Sequence, residues 1–99
     1  MPKKSQINLT KFYKAVLSLK NESECAKFFD DICTFQETEA IVQRFEVACL
    51  LDAGKSYVDI NKLTGASTAT ICRVSRCLNY GDGGYKTTID RVKEQKSEL

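Results

Sequence analysis

Proline occurs only at position 2 of this 99-residue chain, and no segment alternates polar and apolar residues. Proline interrupts helices, and alternation of polar and apolar residues is the pattern of a half-buried strand. Helices are therefore permitted from end to end, whereas strands are not favoured. The sequence predicts an all-α protein, and its length predicts a single domain over 1–99.

Capping patterns divide the chain into about six helices. A polar residue followed three positions later by an acid occurs at Asn21, Thr34 and Ser56, and such a residue can accept a hydrogen bond from the free N–H groups of a first turn. Apolar residues at helical spacing follow each cap, and Ile60 and Leu63 are the expected buried positions of the short helix after Ser56. The predicted helices cover about 10–20, 21–32, 34–54, 56–64, 67–78 and 85–98, with a loop over 79–84.

Charge is distributed unevenly, although the net charge is only +2. Residues 1–20 carry five lysines and no acid, residues 21–54 have a net charge of −6, and residues 55–80 have a net charge of +3. Two basic segments, including an N-terminal arm over 1–9, could attract a polyanion if they share a face. No apolar run is long enough for a membrane span or a signal peptide, so we expect a cytoplasmic protein.

Cysteine and histidine usage argues against metal and catalytic sites. The five cysteines are odd in number, no two are separated by only two residues, and histidine is absent. Neither a disulfide framework nor a zinc site is indicated, so we expect reduced thiols and no metal. Because a phosphate-cradling glycine loop and a nucleophile motif are also missing, the sequence does not predict an enzyme.

Residues 56–79 have the spacing of a helix-turn-helix, in which two short helices meet at a glycine turn. Ile60 would pack the first helix on the second, Gly65 would adopt the positive φ of the turn, and Ile71 and Val74 would face inward. The outer face then presents hydroxyl groups near the start of the second helix, where N–H groups favour a phosphate, and arginines further along. Those residues are Ser67, Thr68, Thr70, Arg73 and Arg76. Duplex DNA is the favoured partner, and a helical protein-interaction or RNA-binding module is the alternative.

Three parts of the chain resemble the core of the Trp repressor superfamily: the stretch Thr34-Phe-Gln-Glu-Thr-Glu-Ala40, Arg44, and the stretch Leu63-Thr-Gly-Ala-Ser-Thr-Ala-Thr-Ile-Cys-Arg-Val-Ser75. The chain is most similar to the bacterial Trp-repressor-like branch whose ligand is unassigned. The resemblance implies an intertwined homodimer that presents two recognition helices to successive major grooves of a near-palindromic operator. It places Asn61, Ser67, Thr68, Ala69, Thr70 and Cys72 near the DNA.

The resemblance also implies a corepressor pocket. Its positions correspond here to Thr34, Arg44, Arg73 and Cys77, where the family has serine at the last position, and Val74 replaces a family glycine beside the ring site. A valine side chain narrows such a site and a thiol is a weak hydrogen-bond donor. We therefore expect tryptophan to bind weakly. The sequence is still compatible with a different small molecule as the corepressor. Arg44 and Arg73 could equally be ordinary surface or ion-paired arginines.

Overall fold

The computed structural model describes residues 7–97, with side chains to residue 95. This described part contains six α-helices and no strand, which confirms the all-α prediction. Most of the predicted basic arm, residues 1–6, lies outside the described residues. The helices are α1 (Leu9–Leu17), α2 (Glu22–Ile32), α3 (Phe35–Asp52), α4 (Tyr57–Thr64), α5 (Thr68–Tyr80) and α6 (Gly84–Ser97).

Side-chain caps set the starts of most of these helices, as the sequence predicts. The hydroxyl oxygen of Thr34 accepts from the N–H of Glu37 at 3.1 Å, and the Glu37 carboxylate accepts from the N–H of Thr34 at 2.8 Å. Asn21 caps α2 by accepting from the N–H of Glu24, and Ser56 caps α4 by accepting from the N–H of Asp59. Each cap satisfies an N–H group that has no partner within its helix, so the predicted boundaries are found within a few residues.

The chain forms two compact units, and their boundary follows Thr38 in the second turn of α3. The first unit contains α1 and α2, whose aromatic side chains contact one another: the ring centroids of Phe12 and Phe28 lie 6.0 Å apart, and those of Phe28 and Phe29 lie 5.4 Å apart. Neither helix contains a buried residue. Leu17 is 82% exposed and Phe35 is 75% exposed. This unit therefore carries apolar surface that its own residues do not cover.

The second unit, from Glu39 onward, contains the hydrophobic core. Within it α4 packs against α5, and α5 packs against α6. The core combines one or two side chains from each helix with one from the turn, so α5 is held on its inner face. Its members are Val47, Ala48, Ile60, Ala66, Ile71, Val74 and Ile89.

The C-terminal end of α3 is joined to α6 by charges as well. Asp52, whose side chain is only 12% exposed, lies 2.8 Å from Nζ of Lys93 and 3.0 Å from Nζ of Lys86. The pKa of Asp52 is lowered because its carboxylate accepts hydrogen bonds from two lysines, with Lys93 the larger cause and Lys86 the second. The hydrogen bond to Asp52 in turn raises the pKa of Lys86. This arrangement fixes the end of α3 relative to the helix that supports α5.

Three details differ from the sequence prediction. Leu63 is 66% exposed rather than buried, because Thr64, four residues after Ile60, is half-buried on the inner side of α4 and bonds back to the Ile60 carbonyl. α5 continues to Tyr80, and α6 begins at Gly84, so the loop is shorter than predicted. The N–H of Gly81 still donates to the Cys77 carbonyl at 2.9 Å, which continues the helical bonding pattern beyond the expected end.

Candidate nucleic-acid interface

The turn between α4 and α5 has the predicted glycine geometry. Gly65 has a φ of +74° and ends α4, and its N–H donates to the Asn61 carbonyl at 2.8 Å. A left-handed residue at this position reverses the chain within a few residues, and glycine adopts it without the cost that a Cβ brings. α5 begins at Thr68 and packs on α4, so the pair forms a helix-turn-helix.

Hydroxyl groups gather at the start of α5. Ser67 is its N-cap, and the Ser67 hydroxyl accepts from the N–H of Thr70 at 3.2 Å and donates to the Thr70 hydroxyl oxygen at 3.1 Å. The predicted contact residues Thr68, Ala69 and Cys72 are all exposed. Ser67 is exposed as well, but its hydroxyl is engaged in capping the helix, as the hydroxyl of the half-buried Thr70 is in bonding to Ser67.

Positive charge continues along the same pair of helices. Arg73 and Arg76 are exposed on α5, and Lys62 is exposed on α4. No ion pair involves any of these three side chains among the described residues. Their guanidinium and ammonium groups are therefore available to an anion such as phosphate.

Asn61, predicted to approach DNA from α4, is exposed but already engaged. Its Nδ2 donates to the carbonyl of Ala66 at 2.8 Å, and Ala66 is buried. The N–H of Ala66 donates in turn to the hydroxyl of Thr64 at 3.1 Å. Both polar backbone groups of Ala66 are thus bonded to side chains of α4.

One connection to this turn was not predicted from the sequence. Gln43, in α3, donates from Nε2 to the carbonyl of Thr64 at 3.1 Å. The two residues are 21 positions apart, and glutamine on a helix face is too common for its spacing to indicate a specific acceptor. The hydrogen bond therefore becomes visible only when the helices are in place.

The residues of the expected corepressor pocket are distributed over both units. Thr34, in the first unit, is the N-cap of α3. Arg44, Arg73 and Cys77 are exposed in the second unit, and among the described residues neither arginine makes an ion pair. Val74 belongs instead to the hydrophobic core, where it is 2% exposed. The inward-facing role predicted for Val74 is therefore observed, and its methyl groups are committed to packing.

Comparison with known proteins identifies the family. Residues 7–93 match the family described as Trp repressor protein. The chain belongs to the Trp repressor family. This assignment agrees with the order of helices and with the helix-turn-helix formed by α4 and α5.

Individual proteins are also closely similar to this chain. The uncharacterized protein YerC of Bacillus subtilis (strain 168) is 51% identical over 90 residues, which cover 91% of this chain and 86% of YerC. The crystal structure of a TrpR-like protein from Eubacterium eligens ATCC 27750 has 48% identity and a TM-score of 0.82, and the match covers 85% of this chain and 87% of that one. A candidate Trp repressor from Staphylococcus aureus has 39% identity and a TM-score of 0.85, with 94% and 95% covered.

Metal clusters and membrane spans are both missing from the described part of the chain. No group of three or more cysteine and acidic side chains there could hold a metal ion. None of the helices described is long and apolar enough to cross a membrane.

Proposed function

We propose that the protein is a sequence-specific, DNA-binding transcriptional regulator, acting as a repressor, that reads an operator with α5. The observation that carries this proposal is the outer face of α5. It combines a hydroxyl-capped N-terminus with Arg73 and Arg76, which are exposed and form no ion pair with any described residue. Free N–H groups at a helix start and cationic side chains both favour phosphate. Membership of the Trp repressor family supports a regulator rather than an enzyme.

We assign base contacts and phosphate contacts to different residues according to their exposure and their hydrogen bonds. Thr68, Ala69 and Cys72 extend from the first turns of α5 and would meet base edges in the major groove, where small side chains allow close approach. Arg73, Arg76 and Lys62 would meet phosphates on either side. The base-contacting residues would set the sequence preference. The phosphate-contacting residues would add affinity for any duplex.

A homodimer is part of the proposal. The first unit leaves apolar side chains exposed, including Leu17 and Phe35, and α1 and α2 bury none of their residues. Apolar area removed from water is worth about 25 cal/mol per Å². A second copy of this chain would cover such surface and would also set the spacing of two recognition helices.

We further propose that the regulator acts in the cytoplasm, where bacterial DNA lies, and that free tryptophan is not its effector. Val74, which occupies the position beside the family's ring site, is packed in the core. A small-molecule corepressor of another shape would have to use the exposed residues Arg44, Arg73 and Cys77.

The test is selection of bound fragments from the protein's own genome, followed by affinity measurements at several salt concentrations. We expect recovery of a near-palindromic duplex and an affinity that falls steeply with salt. The double variant Arg73→Ala, Arg76→Ala should bind every duplex less tightly, with the salt slope reduced by about one unit for each phosphate that is no longer neutralised. Unchanged affinity in this double variant would contradict the assignment of α5.

The same measurements separate this function from the alternative of a protein-interaction or RNA-binding module. A DNA regulator prefers duplex DNA over single strands and over RNA of the same sequence. An RNA-binding module would show the reverse preference, and a protein-interaction module would show no salt-sensitive affinity for either nucleic acid.

A further inference from the structure

Four hydrogen bonds converge on Thr64, the last residue of α4, and on the two residues that follow it, Gly65 and Ala66. The Thr64 carbonyl accepts from Gln43 at 3.1 Å, the Ala66 N–H donates to the Thr64 hydroxyl at 3.1 Å, and the Ala66 carbonyl accepts from Asn61 at 2.8 Å. The Gly65 N–H donates to the Asn61 carbonyl at 2.8 Å. We call Gln43, Asn61 and Thr64, with the backbone groups they bond, the turn network.

The turn network constrains a segment that could otherwise move. Gly65 lacks a side chain, and no heavy atom lies within 4 Å of where its Cβ would be, so packing does not hold this residue. Ala66 is buried and contributes only a methyl group to the core. Side-chain packing restrains a glycine followed by an alanine only weakly, because neither residue has a long side chain that contacts neighbouring helices. The hydrogen bonds from α3 and α4 supply the missing constraint.

From these contacts we propose that Gln43, Asn61 and Thr64 are positioning residues that set the start of α5 relative to α3 and α4. In this role Asn61 does not read a base. Its Nδ2 is bonded to a carbonyl that precedes the N-cap Ser67 by one residue, so a shift of the amide would shift the first turn of α5. The proposal rests on the proposed function, since it states how the DNA-reading helix is oriented.

The turn network draws its bonding groups from the second unit alone. Each bond joins groups of the chain itself, and among the described residues every donor and acceptor in it comes from α3, α4 or the turn. A misplacement of α5 by about 1 Å would disturb all of its base contacts together, because a helix moves as a rigid element. Loss of a positioning bond therefore affects discrimination at every base pair that α5 reads.

The experiment uses the duplex recovered by genomic selection and a set of duplexes that each carry one base-pair substitution. Affinities are measured for the unmodified protein and for Asn61→Ala, Thr64→Val and Lys62→Ala, at a temperature where circular dichroism shows each to be folded. Thr64→Val keeps the shape of a half-buried side chain and removes the hydroxyl that accepts from Ala66. Lys62→Ala is the matched control, because Lys62 is exposed on the same helix outside the turn network.

We expect Asn61→Ala to weaken binding of the selected duplex about five- to tenfold, the effect of one lost hydrogen bond. Thr64→Val should weaken it at least as much, because the Thr64 hydroxyl also donates to the Ile60 carbonyl. Both should reduce the penalties of all base substitutions together and leave the salt slope unchanged. Lys62→Ala should instead reduce the salt slope by about one unit and leave the penalties intact. Amide exchange in the absence of DNA should be faster at Thr70 and Ile71 in both network variants.

Three results would overturn the inference in distinguishable ways. A loss confined to one base pair per half-site in Asn61→Ala would show that Asn61 reads a base. A lower melting temperature with unchanged discrimination and unchanged amide exchange would show that the network only stabilises the fold. Failure of the unmodified protein to select any duplex would remove the proposed function itself, and the inference with it.

Discussion

The carboxylate of Asp52, in the last residue of α3, lies 2.8 Å from Nζ of Lys93 in α6. A second lysine, Lys86, reaches the other carboxylate oxygen at 3.0 Å. Because α6 packs against α5, this pair of contacts links α3 to the helix that supports α5. It is also the place where the stability of the second unit depends on pH.

Asp52→Asn should lower the free energy of unfolding by about 0.5–1 kcal/mol near neutral pH, the range of partly exposed ion pairs. The hydrogen bonds from Lys93 and Lys86 lower the pKa of Asp52 from its ordinary value of 3.8. Its contribution is therefore fully present above pH 3.8 and is lost as the pH falls through the lowered value. Denaturant unfolding at several pH values measures this difference.

The control for this charge contact is Asp90→Asn. Asp90 is exposed and lies 3.7 Å from Lys86 within α6, so its removal should cost less than about 0.5 kcal/mol. An equal loss of stability in both variants, or a loss in Asp52→Asn that persists unchanged in acid, would contradict the role given to Asp52.

Gly65→Ala should destabilise the protein by about 1 kcal/mol, because alanine at a φ of +74° is strained even though the added Cβ meets no atom. Gly84→Ala is the matched control: Gly84 begins α6 and also has open space around its Cβ, but its φ is not in the left-handed region. Alanine there should stabilise the protein by about 0.5 kcal/mol. Thermal unfolding decides whether the two substitutions have opposite signs.

Phe35→Asp should weaken the proposed homodimer. Phe35 is 75% exposed within one chain, and loss of an apolar side chain of this size from an interface costs about 1.5–3 kcal/mol, or about 10- to 150-fold in the dissociation constant. Gln36→Asp adds the same charge at the neighbouring exposed position and should have little effect. Sedimentation equilibrium measures both, and an unmodified protein that is monomeric at micromolar concentration would contradict the dimer.

Thr68→Val should change which base is preferred at one or two base pairs of each half-site, by about tenfold. Thr68 is exposed, and among the described residues its hydroxyl makes no hydrogen bond, so the fold should keep its stability. Thr87→Val makes the same chemical change on the exposed side of α6 and should leave the preference unaltered. Site selection with both variants is the measurement, and identical preferences would exclude Thr68 from base reading.

Titration calorimetry with L-tryptophan should give a dissociation constant of about 1 mM or weaker, equivalent to about −4 kcal/mol. Arginine faces at Arg44 and Arg73 could each contribute only about 0.5–2 kcal/mol to an aromatic ring, and Val74 is packed in the core. Micromolar binding by the unmodified protein would overturn this prediction. If Val74 excludes the ring, a gain should appear in Val74→Ala, which avoids placing a glycine within α5.

Local chemistry explains which parts of the fold the sequence predicts. Caps such as Thr34 with Glu37 act over three residues, so their outcome is determined by neighbours along the chain. The turn at Gly65 is also determined locally, because a residue without a side chain adopts a left-handed backbone conformation without strain. The inward positions Ile60, Ile71 and Val74 follow from helical periodicity, and all three are buried.

Long-range contacts explain the rest. Leu63 is apolar and at helical spacing, yet it is exposed, since the direction in which α4 faces depends on helices distant in sequence. The Gln43 contact with Thr64 spans 21 residues, and the Asp52 contact with Lys93 spans 41. No periodicity identifies such partners, because polar residues at many positions could make the same bonds.

The side-chain hydrogen bonds that hold the start of α5 involve none of the exposed residues Thr68, Ala69 and Cys72, which are proposed to meet base edges. Substitutions at these exposed positions should leave the core and the turn intact, since none of the three side chains belongs to either. On the proposed function, operator preference would therefore diverge between descendants of a duplicated gene by single replacements, without compensating changes elsewhere. Such a scaffold would allow regulators to acquire new target genes while they keep the same fold.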